Sequence, residues 1–380
     1  MRHLTWSLLA TVLLSAPCAA QVDLEERVIA LTPVSMGSAP SFSSFSLDSS
    51  TDAIEYIFQA TDTTGLCELL VRYQTRAGTP PTYQISVQGV DGSGRADGVI
   101  KDDGGAGDAS TTFTPPADGT WDGTMRRFTP TQCYVPTRGQ WLAIVISYSS
   151  GTINGSNLGQ FSTHFGGTAR AAPYIVRVDS GAGTKFAFLP LFGYSNGSGA
   201  VRGFPVEAIN ITQYSSDSTP DERAVRLALK SGECSTFTLR GVRAQIRTPA
   251  AATALTVALY SGTSVLQTIT LDSDQMGNNA SNDQPLTVRW TDSTLSTLTC
   301  GSAYYIGFQA GSTSMNIALR ELVVDAAGDM EALPGGADIY AATRSDAGAW
   351  SDATSTRYVV ELLIESVTAA SGGSGRVIGS

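Results

Sequence analysis

Apolar and polar residues alternate with period two in one segment after another. YQISVQGV from Tyr83 and ALTVALYS from Ala254 are the clearest cases, and the pattern predicts strands with one face on a core. IEYIFQA from Ile54, RAVRLAL from Arg223, ELLVRYQTR from Glu68 and STFTLRGVRAQI from Ser235 read as extended too. GQWLAIVIS from Gly139 and GSAYYIGFQ from Gly301 are almost continuously apolar, as expected of central strands covered on both sides. That places Trp141 in the core, and Trp290 with it. Asn154-Gly155 and Asn196-Gly197 are tight-hairpin signals, because both residue types accept positive φ. No long segment repeats apolar residues at helical spacing. The expected fold is all-β: two tandem antiparallel β-sandwiches of jelly-roll size.

The cysteines point to a duplication. Cys67 and Cys133 are 66 residues apart, and so are Cys234 and Cys300. Similar strand patterns flank each pair, so the expected bridges are Cys67–Cys133 and Cys234–Cys300, one per sandwich. Clustered Cys and His spacing of the kind zinc needs is missing.

The first 20 residues read as an export leader: Met1-Arg2-His3, an apolar Leu4-to-Leu14 stretch, then Cys18-Ala19-Ala20 before Gln21. Export leads to an oxidising compartment, where disulfides persist. The units expected are a leader over 1–20, one sandwich over 21–203, a repeat over 204–366 and a Gly/Ser-rich tail over 367–380. The protein is therefore expected outside the cell or on its surface. Hydrophobic residues make up 42% of the chain, enough for two cores, and charged residues 15%. A net charge of −10 repels phosphate backbones, so no nucleic-acid partner is expected. Nor is a membrane span, since no apolar run beyond the leader is long enough.

An extended strand, a cysteine-led strand, the DGSG turn from Asp91 to Gly94, Thr120-Trp121 and the GQWLAIVI strand together resemble secreted jelly-roll modules. Such modules occur in carbohydrate-binding domains and in surface proteins of bacteria and bacteriophages. The resemblance covers both halves and implies a binding or structural role.

Catalytic candidates are few. His164 is the one histidine after the leader, and no GxSxG elbow surrounds a serine. Glu68, Glu207, Glu321 and Glu361 sit in apolar strand patterns, too scattered to select a glycosidase pair. Two acidic loops carry hard oxygen ligands of the kind calcium takes. One holds Asp91, Asp97, Asp102, Asp103 and Asp108; the other holds Asp272, Asp274, Asn278, Asn279, Asn282 and Asp283. The first fails an EF-hand pattern, and Asp, Asn and Gly also build plain loops. Trp121 and Trp350 lie among glycines and aspartates, where an indole either stacks on a sugar or caps a sandwich end.

The segment VDLEERVIALTPVSMG after Gln21 carries an apolar run from Val28 to Leu31. It reads as a strand that completes its own sheet or is donated to another copy. The expectation is an exported, non-enzymatic structural or adhesive surface protein without a cofactor. A carbohydrate-binding protein is the alternative and a glycoside hydrolase or lyase the third; the partners are a glycan, a protein surface or a second copy.

Overall fold

The computed structural model describes residues 27–30, 42–60, 63–102, 104, 107–168, 174–186, 188–197, 201–203, 206–229, 231, 234–248, 254–276, 279–290, 295–311, 317–324 and 338–369. The expected leader over 1–20 lies outside this set. The fold is nearly all-β with antiparallel sheets, and the helix among the described residues is a single turn, Ser273–Met276.

One sheet of the first half runs, edge to edge, Ala182–Phe186, Tyr174–Asp179, Ala53–Gln59, Trp141–Ser150, Thr82–Val90, Ala96–Ile100. Its counterpart in the second half runs Ser351–Ala353, Asp338–Arg344, Glu222–Ala228, Tyr304–Ala310, Ala254–Ser261, Ser264–Asp272. The order is the same, strand for strand. The two near-continuous apolar runs occupy the same interior position in their sheets, flanked by a strand on each side.

The second sheets also correspond. Phe42–Leu47, Leu158–Thr168, Glu68–Ala77, Phe192–Ser195 and Val201–Gly203 pair in sequence across the first half. In the second half the series is Val206–Tyr214, Ile317–Val324, Cys234–Thr248, Val360–Ala369 and Arg27–Ala30. Register fixes the repeat to the residue: Arg76 pairs with Gly159 as Arg247 pairs with Ala318. VRYQTR from Val71 is thereby the structural equivalent of VRAQIR from Val242.

The last member of each series immediately precedes the opening strand of a half: Val201–Gly203 forms a hairpin with the strand before it, whereas Arg27–Ala30 comes from far away in the chain. Val201–Gly203 leads into the second half's opening strand, yet it pairs with the first half's last strand, Tyr194 opposite Arg202. Arg27–Ala30 precedes the first half's opening strand, yet it pairs with the second half's last strand, Ile364 opposite Arg27. The N-terminal strand therefore does not join the sandwich that follows it. The equivalent edge there is already taken by Val201–Gly203. Gly203 is needed at that joint: it has φ +88°, and a Cβ would come 2.7 Å from the Phe192 carbonyl.

Each sandwich closes over its own apolar cluster. Tyr56, Tyr83, Phe161 and Ile144 belong to the first; Phe237, Leu239, Phe308 and Trp290 belong to the second. Leu322 and Val359 of the second half join the first half's cluster. Both expected disulfides are formed, Cys67–Cys133 and Cys234–Cys300. Closing a loop of that length contributes about 4 kcal/mol on a chain-entropy account. The closing strand continues to Ala369, past the start expected for the tail, because Val367 and Thr368 still pair with Phe237 and Thr236.

Candidate functional site

The acidic residues of the first loop are engaged in their own turns. Asp91 Oδ1 accepts the backbone N–H of Ser93 at 2.8 Å, the Ser93 hydroxyl at 2.7 Å and the Arg95 N–H at 3.0 Å. Those donors, the Arg95 N–H foremost, hold the Asp91 carboxyl below the usual carboxylate range. The hairpin is then pinned to the sheet: Arg95 donates to the buried Glu55 at 2.9 Å, and the Ala96 N–H donates to the same carboxylate at 3.0 Å. Asp97 accepts from the Val99 N–H at 2.9 Å and lies 3.7 Å from Lys101; Asp102 accepts from the Gly104 N–H at 2.6 Å. Asp103 lies outside the described residues, and Asp108 is exposed.

In the second loop Asp272 accepts N–H groups from Asp274 and Gln275, starting the one helical turn. Asn279, Asn282 and Asp283 are not in a loop at all. They open the strand Asn279–Arg289, which pairs with Cys234–Thr248 from Thr248 onward. Asn278 lies outside the described residues. Among the described residues no group of three or more His, Cys, Asp or Glu side chains could hold a metal ion.

The two candidate tryptophans are built into the protein. Trp121 is half-buried, with ring centroids 6.1 Å from Phe113, 5.9 Å from Phe128 and 6.1 Å from Tyr73, and Arg126 lies 5.1 Å from its own centroid. Trp350 stacks on Tyr305 at 5.2 Å with an interplanar angle of 12°, and its Nε1–H donates to the Gly262 carbonyl at 3.1 Å. It lies against Gly307, where a Cβ would sit 3.2 Å from the indole and 2.8 Å from Tyr260. Arg344 lies 4.3 Å from the Tyr260 and Trp350 ring centroids and donates to Glu222 at 2.7 Å. Burial raises the Tyr260 phenol above its ordinary value, with the Glu222 carboxylate adding to the shift. Trp350 thus roofs a buried ion pair. Nothing in the sequence marked that pair, since Glu222 and Arg344 meet only through strand register.

Trp141 corrects the sequence reading. Trp290 is buried as expected, at 4% exposure, but Trp141 is 39% exposed. It opens its strand opposite Gln59 at the end of the ladder, while the apolar run that follows it, Leu142 to Ile146, goes inside. The half-buried Tyr174 lies beside it, at 6.4 Å between centroids.

Glu68 and Glu361 have separate partners. Glu68 meets Arg127 at 2.9 Å and the buried Glu361 meets Arg243 at 2.8 Å. Glu321 is buried at the strand pair with Tyr358. The side chains of Glu207 and His164 lie outside the described residues, though His164 is in the strand Leu158–Thr168. No protein-family model matches the chain, and no curated protein matches it either.

Proposed function

We propose that this chain is an exported, non-enzymatic structural or adhesive protein of a cell, matrix or virion surface. The observation that carries the reading is the N-terminal strand Arg27–Ala30 docked on the second of two disulfide-tied sandwiches, at the position that Val201–Gly203 holds on the first. In one sheet of each half, the last strand is covered by the segment that leads into the other half. Such joints transmit load between units and hide strand edges that would otherwise aggregate. The disulfides are consistent with an extracellular protein, and among the described residues no helix is long and apolar enough to cross a membrane. No cofactor enters the proposal. Antibody labelling of intact source cells or particles, with fractionation alongside, tests it. Surface signal in the absence of polysaccharide cleavage supports the reading, and confinement to the cytoplasm or turnover of a glycan panel overturns it.

A second reading, glycan binding, is favoured by one observation: the exposed indole of Trp141 beside Tyr174. Aromatic faces of this kind stack on sugar rings. A glycan array comparing the native chain with Trp141→Ala tests it, and equal binding by both proteins removes Trp141 from consideration.

A further inference from the structure

We infer that Arg27–Ala30 is an exchangeable strand, and that the partner it fits is a second copy of this chain, docked on the edge of Val360–Ala369. The inference rests on the structural reading above and names its partner.

The joint between the two halves supplies the template. Within the chain, the lead-in of the second half closes the last strand of the first, with Tyr194 opposite Arg202. The lead-in of the first half has the same register on the second half, with Ile364 opposite Arg27. The edge of Val360–Ala369 is thus the place where a following unit attaches, and the unit that follows in an assembly is the first half of another copy.

Covalent distance separates the two joints. Two residues, 204–205, connect Val201–Gly203 to the next strand, whereas eleven, 31–41, connect Arg27–Ala30 to Phe42. Two residues leave the first joint no alternative. Eleven can reach about 36–40 Å when extended, enough for the strand to dock on its own chain or on a neighbour. The ladder itself is thin, four register pairs from Arg27–Ile364 to Ala30–Glu361. Exchange keeps every one of those pairs, which makes it a low-cost route to association.

Magnitude decides when exchange wins. A tether of this length gives the chain's own strand an effective concentration of order millimolar. Dilute protein, at about micromolar, therefore stays closed by a factor of roughly a thousand. Packed in a surface layer at about millimolar, copies compete on equal terms with the tether.

The test uses the mature full chain in two differently tagged forms, Val28→Cys and Leu363→Cys, mixed in a glutathione redox buffer. A disulfide between these positions in the mixture forms only between copies. The expected result is a mixed-tag dimer whose ratio to monomer rises about tenfold for each tenfold rise in concentration below saturation. The double variant Val28→Cys/Leu363→Cys is expected to close on itself when dilute. If the double variant closes on itself at every concentration and the mixture gives no mixed-tag dimer, the strand never leaves its own chain and the inference fails. If the double variant does not cross-link at all, the strand is not on that edge and the inference fails as well. The unmodified chain provides a control free of cysteine substitutions: sedimentation at about 1 mM shows a dimer share that falls on dilution, whereas monomer alone at about 1 mM overturns the idea. Exchange without surface display leaves this inference intact and removes the surface role, and display without exchange does the reverse.

Discussion

Arg344 donates to Glu222 across 2.7 Å, with the two side chains only 3% and 2% exposed. They sit on adjacent strands beneath the indole of Trp350. Removing one partner strands a buried charge. Glu222→Ala should cost about 3–5 kcal/mol, while the joint replacement Glu222→Leu/Arg344→Met should cost much less. Urea unfolding of the oxidised full chain measures both, and equal losses would mean that the pair is not desolvated.

Gly307 gives Trp350 its seat. Gly307→Val adds atoms where even a Cβ lies 2.8 Å from Tyr260, so overpacking of about 1–3 kcal/mol is expected. Tryptophan emission should shift to the red as the indole lifts off Tyr305. An unchanged spectrum and unchanged stability would remove the shelf from the account.

The Asp91 turn makes stability depend on pH. Its carboxyl is depressed in the folded chain by the Arg95 and Ser93 donors, so it binds its proton more weakly folded than unfolded. The turn's contribution is therefore complete above the ordinary carboxylate range and is lost as pH falls through the lower folded value. Asp91→Ala should melt below the native chain at neutral pH, and the gap should close on acidification. A gap that widens in acid would have the wrong sign.

The two disulfides differ in access. Cys133 is exposed, whereas Cys234 and Cys300 are both buried. Reduction needs a thiolate to reach sulfur, so a mild reductant followed by alkylation should label Cys67 and Cys133 first. Labelling of Cys234 and Cys300 at the same rate would show that the second half opens as readily as the first.

Period-two patterning was sufficient for the strands it marked, because alternation reports which face is buried, but it missed the strand Asn279–Arg289, whose polar opening reads as a loop. Equal cysteine spacing likewise exposed the duplication, since a repeat preserves chain distance. Trp141 was misread because an apolar run does not say where burial begins: the strand opens at its outer end with the indole outside. The acids of the first loop looked like ligands because sequence shows carboxylates and not the N–H groups that occupy them, such as those of Ser93 and Arg95 on Asp91. Glu222 and Arg344 were invisible for another reason. They are 122 residues apart and become neighbours only through pairing of two strands, a register that no local pattern encodes.

The reciprocal joints also change what order means in this chain. With each half capped by the other's lead-in, the two sandwiches form a ring that is cut once, between Arg27 and Ala369. There the first and last described strands run side by side, Arg27 lying opposite Ile364. A circular permutant that links those ends and opens at the exposed turn Asn196–Gly197 would begin with the present second sandwich and rebuild the same sheets. Neither sandwich is intrinsically first; the position of the cut assigns the order.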